Sequence, residues 1–371
     1  PGLTPASERC RRSRSGVRTD GATQTPGRSA MRLRHSDISS PGITRRRRGN
    51  GFSYYDTAGA PVTDEATLQR IQDLVIPPAW RKVWISPHRN GHIQAVGTDA
   101  AGRRQYLYHA VWQQERTEEK FDRVLELSTA LPDWRGRIAA DLTGRGLHRE
   151  RVLALALHLI DLGYFRAGGE EYAQDNDSCG LATLRCEHIE VRSGTVIFDY
   201  PAKSGVQRHL ELADPQVVRA VRALRRGRGP TDRFLYCRTG SGCVELHADD
   251  LNARFKELVG EEYSVKDLRT WHGTVLAAAG FAAVAPADTK TAIRRARTSI
   301  FREVAEELGN TPAVARSSYV DPRVVSAYEE GLTISAAVRR AEKQRNEAAA
   351  QEILERATRK LIRRVARTSG T

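Results

Sequence analysis

The apolar residues of this 371-residue chain change their spacing part-way along, and that change limits the fold more than any single motif does. Between residues 51 and 109 they alternate in short runs. KVWIS, HIQAVG and QYLYH are spaced as strands, with PHRNG and DAAGR as the turns between them, and DEATLQRIQDL (64–74) reads as a helix ahead of the first. From residue 150 to 330 the apolar positions recur at helical spacing, in ERVLALALHLIDLGYF, DPQVVRAVRALRRG, ADDLNARFKELVG and TAIRRARTSIFREVAEELG. One strand cluster interrupts these helices at 185–212, where RSG and AKSG mark two turns of an antiparallel meander. The charged helical stretch WQQERTEEKFDRVLEL (112–127) is a suitable connector. The expected fold class is α+β, a small antiparallel β-rich N-terminal domain followed by a mainly α-helical domain with a small antiparallel sheet.

Charge divides the chain further. The formal net charge is +14, but residues 1–50 hold twelve arginines against three acids and residues 331–371 hold ten basic residues against four acids. Those excesses of nine and six leave the body near minus one, so the basicity belongs to the ends. Residues 1–45 read as a disordered basic tail, and because Met31 is the sole methionine, translation is expected to start there. The expected domains are then 46–115, 116–331 and a basic helical extension over 332–371 with little apolar face. Basic tails of this kind can attract a phosphate backbone.

The composition also sets aside several classes. The apolar runs are too short and interrupted for a membrane span, so no membrane partner and a cytoplasmic location are expected. Five cysteines, Cys10, Cys179, Cys186, Cys237 and Cys243, form no CxxC pair, and the ten histidines form no HExxH, so neither a disulfide framework nor a metal is expected. No small-molecule cofactor is expected either.

The segment SSYVDPR (317–323) places Tyr319 after a long helical stretch. A tyrosine that attacks a phosphodiester needs cations or amides on the non-bridging oxygens and an acid for the departing alkoxide. Upstream candidates are Arg166 in LGYFRAGGEEYA, Lys203 in DYPAKSGVQ, Arg269 in VKDLRTWHGT and Asn310 in ELGNTPAVARSSY. Singly each has an ordinary role. Arg166 would cap a helix, Lys203 would be a solvated turn lysine, and Asn310 would end the helix before it. Arg269 is more demanding, because an arginine facing an apolar helix core needs an anionic partner.

Taken in order, these segments resemble the type IB DNA topoisomerases of the small poxvirus and bacterial kind, over roughly residues 43–330. The resemblance is carried by IPPAW with VWI (76–85), GHIQAVGTDAAGRRQYLYH (91–109), RAGGEEYA (166–173), GLATLRCEHIEV (180–191), AKSG (202–205), KDLRTWHGT (266–274) and TPAVARSSYVDP (311–322). It implies that Tyr319 is the nucleophile, leaving a 3′-phosphotyrosyl enzyme and a free 5′-hydroxyl. It also implies that Arg166 and Arg269 bind the scissile phosphate and that Lys203 is the general acid for the 5′-oxygen. ATP and metal are then unnecessary, since the bond energy stays in the phosphotyrosine and guanidinium groups take the place of a cation. Asn310 departs from the poxvirus pattern, which has histidine nine residues before the tyrosine; asparagine can donate an N–H but brings no titratable proton. Gly169 stands where relatives tend to have asparagine.

Resemblance further implies double-stranded DNA as the partner, a monomer that clamps it, and DNA contacts from Gln105, Tyr106 and Tyr108 on one strand and from Tyr172 and Thr183. Two other readings compete. Tyrosine recombinases share the nucleophile and a similar cation order, but usually carry a helical front domain and HxxR, where this chain has strands and Lys266 in the histidine position. A non-catalytic DNA-binding relative would lack one of Arg166, Lys203, Arg269 or Tyr319, and all four are present.

Overall fold

The computed structural model describes residues 32–169, 178–285 and 289–369, and the chain divides into two compact units, one ending at Glu115 and one beginning at Arg116. Met31, Cys10 and Tyr172 lie outside the described residues.

The first unit is built on one antiparallel sheet. Its strands are β1 (Ile43–Arg48), β2 (Gly51–Tyr55), β3 (Arg81–Ile85), β4 (Ile93–Thr98) and β5 (Arg104–Tyr108), in the order β2-β1-β3-β4-β5. Strand alternation sorts the two faces. Ile43, Ile85, Ala95 and Leu107 face one another in register across four strands and join Ile71 and Ile76 in the unit's core. Ile71 comes from helix α1 (Glu65–Asp73), which starts where the Asp64 carboxylate accepts the Thr67 N–H at 2.8 Å. The neighbouring row, Thr44, Trp84, Val96 and Tyr106, belongs to the opposite face.

Order begins earlier than the sequence reading places it. Ile43 is 5% exposed and pairs with Ile85 inside the stretch expected to be a disordered tail, because β1 lies between β2 and β3 in the sheet and cannot be left out of its ladder. The four-arginine run that looked like tail charge is strand. Arg45 donates to the carbonyls of Ile76, Pro77 and Trp80, and Arg46 lies 4.5 Å over the Tyr55 ring.

Helix α2 (Ala110–Leu142) runs across the junction, longer than the 16 residues expected of the connector. The second unit continues with α3 (Arg149–Gly163), the meander β6 (Ile189–Arg192), β7 (Thr195–Ala202) and β8 (Val206–Leu212), and α4 (Pro215–Arg225). After these come the hairpin β9 (Tyr236–Thr239) and β10 (Gly242–Glu245), then α5 (Ala248–Val259), α6 (Val265–Ala283) and α7 (Lys290–Leu308). Three more helices close the chain: α8 (Pro322–Glu329), α9 (Ser335–Ala341) and α10 (Glu347–Ser369). The β6–β7 turn has positive φ at both Ser193 (48°) and Gly194 (86°), the primed geometry that matches strand twist in a tight hairpin.

Helix α6 is buried nearly all round, with Leu268, Trp271, Val275 and Phe281 in the core, which places it at the centre of the second unit. The C-terminal residues correct a second expectation. They are not a solvated extension: Ile334, Ala337, Leu361, Ile362 and Val365 belong to the same core as α6. Buried Glu355 of α10 accepts from Arg135 of α2 at 2.8 Å, and Arg135 also donates to Asp161 of α3 at 2.7 Å. The apolar stripe of α10 is narrow and diluted by arginine and alanine, so composition alone conceals it. Among the described residues, no helix is long and apolar enough to cross a membrane.

Candidate active site

Tyr319 ends a π-turn, Ala315–Tyr319, that follows one helical turn, Pro312–Val314. Thr311 opens that turn by accepting the Val314 N–H, and Asp321 caps α8 immediately afterwards by accepting the Arg323 N–H at 2.9 Å. Between these two caps Tyr319 is held by its own backbone. Thr274 of α6 donates its hydroxyl to the Tyr319 carbonyl at 3.3 Å and accepts the Asp321 N–H at 3.1 Å. Lys120 of α2 donates to the Ser318 carbonyl at 3.2 Å, and burial, then the charge of Lys266, pulls its ammonium below the usual lysine value.

A cleft of about 410 Å³ opens beside the tyrosine, lined by Arg166, Lys203, Lys266, Arg269, Asn310 and Tyr319, with Phe165, Val206 and Val314 as apolar walls. The five catalytic candidates therefore meet in one place although 153 residues separate Arg166 from Tyr319. Lys203 stands on the exposed turn between β7 and β8.

Arg269 is 3% exposed, and its guanidinium carbon lies 5.3 Å from the Tyr319 ring centre. It donates to the backbone carbonyls of Tyr164 and Leu308, which answers the partner question its buried position raises: carbonyl oxygens at helix ends supply the negative charge. Burial, then the nearby charge of Arg166, pulls its guanidinium below the ordinary arginine value; it keeps its proton at neutral pH. Arg166 donates at 2.8 Å to the Gly309 carbonyl and also to Asn310 Oδ1. That contact turns the Asn310 amide so that Nδ2 is buried without an acceptor, as is Arg269 Nε. A cleft with four cationic side chains and surplus N–H donors suits an anion with several oxygens.

The loop after Arg166 is fixed by two glycines. A methyl on Gly168 would stand 2.7 Å from Gly180 Cα, and Leu181 donates its N–H to the Arg166 carbonyl at 2.8 Å. Thr183 is buried in this turn, its hydroxyl bonded to the Gly180 N–H at 2.9 Å and carbonyl at 3.0 Å. On β5, Tyr106 and Tyr108 are exposed on one face with their rings stacked at 5.9 Å, whereas Gln105 falls on the other face and donates to Asp99 at 2.9 Å. Sequence reasoning did not single out Lys120, Arg208 or Thr274; their signal is tertiary, since each acts through a backbone carbonyl that no motif reveals.

Comparison with known proteins gives the family. The family model for the eukaryotic DNA topoisomerase I catalytic core matches residues 109–348, and that for the bacterial DNA topoisomerase IB N-terminal domain matches residues 51–99. The chain belongs to the type IB DNA topoisomerases. Among relatives of this family, the DNA topoisomerase 1B of Acanthamoeba polyphaga mimivirus is 29% identical over 297 residues, 78% of this chain and 88% of the viral protein. The DNA topoisomerase 1 of Daucus carota is 26% identical over 162 residues, 43% of this chain and 19% of the plant protein. That of Schizosaccharomyces pombe is 31% identical over 110 residues, 29% of this chain and 13% of the yeast protein. As a type IB topoisomerase the chain is an isomerase whose substrate is DNA. The catalytic-core match runs past residue 331 into α9 and the start of α10, in keeping with their place in the core.

Proposed function

We propose that this topoisomerase relaxes supercoiled duplex DNA without ATP or a metal ion, as a monomer in the bacterial cytoplasm, through a covalent bond between Tyr319 and a DNA 3′-phosphate. The observation that carries the reading is the convergence of Tyr319, Arg166, Arg269, Lys203 and Asn310 on one cleft.

Each group has a task that follows from its chemistry. The Tyr319 phenol gives its proton to solvent and its oxygen forms a bond to phosphorus, while the bond from phosphorus to the 5′-oxygen breaks. Negative charge grows on the two non-bridging oxygens, where Arg166 and Arg269 donate. Asn310 adds a neutral N–H donor. Lys203 gives a proton to the departing 5′-oxygen. Rotation of the freed strand releases supercoils, and the reverse transfer reseals the backbone, regenerating the phenol. Because one phosphodiester is exchanged for another, no external energy source enters.

The test is to stop the reaction with detergent on a 3′-end-labelled or 5′-end-labelled duplex. The label on the strand 5′ to the break should move to the protein band in wild type and stay free in Tyr319→Phe. A covalent adduct that persists in Tyr319→Phe would assign the nucleophile elsewhere.

A further inference from the structure

Three arginines from three different segments take the last carbonyls of α7 and that of Gly309 just after it, in order. Arg208 of β8 donates to Glu306 at 2.8 Å and to Glu307, Arg269 of α6 donates to Leu308, and Arg166 donates to Gly309. Two of these are the phosphate-binding arginines of the reading above. The third has no role in it.

Arg208 sits on the hairpin that carries Lys203. Strand β8 is the edge of its three-stranded sheet, with Tyr200 opposite Arg208 and Ala202 opposite Val206 next to the Lys203 turn. Val206 and Gln207 on that strand are exposed, so packing does little to hold the tip in place. The two-carbonyl grip of Arg208 ties this edge to the end of α7, and the chain continues from there through Gly309 to Asn310. Gly309, at φ 57°, places its Cα so close that an added methyl would touch the Arg208 side chain at 3.5 Å.

We propose that Arg208 is a positioning residue that fixes the Lys203 turn relative to Asn310 and the two phosphate-binding arginines, and so sets how well Lys203 reaches the leaving oxygen. This rests on Lys203 being the general acid. Its grip uses a helix C-terminus, where the orphan carbonyls carry partial negative charge and accept a guanidinium readily.

The experiment measures single-turnover cleavage of two duplexes that differ only in the leaving atom at the scissile position, the natural 5′-oxygen or a bridging 5′-sulfur. A thiolate leaves without needing a proton, because its conjugate acid is far stronger than an alcohol. Arg208→Ala should cleave the oxygen substrate roughly 10- to 100-fold more slowly than wild type, the loss of a charge-assisted pair of hydrogen bonds. On the sulfur substrate most of that deficit should vanish. Lys203→Ala is the control and should show the same rescue more strongly; failure of that rescue would overturn the acid assignment itself. Rescue of Lys203→Ala with an equal deficit of Arg208→Ala on both substrates would overturn the positioning role alone. Arg208→Lys keeps the charge but not the double grip, and it carries the same comparison if the alanine variant melts before assay temperature.

Discussion

Gly273 and Tyr319 meet backbone to backbone: a methyl placed on Gly273 would stand 2.7 Å from the Tyr319 carbonyl oxygen and 3.0 Å from its Cβ. Helix α6 thus presents a bare position where the π-turn must lie against it, one turn beyond Arg269. The glycine lets the tyrosine and the arginine come within reach of each other.

Gly273→Ala is therefore predicted to displace Tyr319. Overpacking of this kind costs about 1–3 kcal/mol. Cleavage in a single-turnover assay should fall at least roughly tenfold if that strain falls on the reacting geometry. DNA binding in a gel-shift assay should be preserved, and an undiminished cleavage rate would show that the π-turn can give way.

Asn310→Ala should slow cleavage modestly, because the arrangement loses one neutral N–H donor and one acceptor for Arg166. Tyr319→Phe should abolish it. Equal and complete loss in both variants would mean that the roles are misassigned.

Glu355→Ala tests whether α10 is part of the core. It removes a fully buried carboxylate from Arg135, and breaking one partner of a buried pair costs on the order of 3 kcal/mol. Chemical denaturation should show a lower midpoint with a similar slope. An unchanged midpoint would mean that the helix is only an appendage.

Asp161 links this pair to α6, lying 2.9 Å from His272. Burial pushes its carboxyl up, but His272 and Arg135 outweigh that and hold it well below the usual carboxylate range. A carboxylate depressed in the folded state contributes stability that is fully present above its unfolded value of about 4 and is lost as pH falls toward the folded value. Stability measured by denaturant should decline in that acid range. Asp161→Asn should lower stability near neutral pH and flatten the decline; a parallel acid branch in the variant would exclude this carboxylate as its cause.

Much of this was legible in the sequence where the signal is local. Strand spacing gave β3, β4 and β5, helical spacing gave α1 and α3 to α5 with α7, and the RSG turn fixed the meander. The five catalytic candidates could be ordered along the chain by resemblance, yet nothing local says that Asn310 is turned by Arg166 or that Arg269 finds carbonyls instead of an acid. Those contacts span 144 and 39 residues. The two ends were misjudged for one reason: arginine-rich composition reads as solvated charge, whereas in β1 and α10 the long arginine stems flank a narrow buried stripe.

Relaxation of a negatively supercoiled plasmid in EDTA without ATP, comparing wild type with Tyr319→Phe, tests the central claim most directly. Wild type should relax the plasmid and Tyr319→Phe should not, with equal DNA binding by both. Relaxation that requires a divalent cation or ATP, or that survives in Tyr319→Phe, would contradict a guanidinium-assisted transfer of the DNA strand to Tyr319.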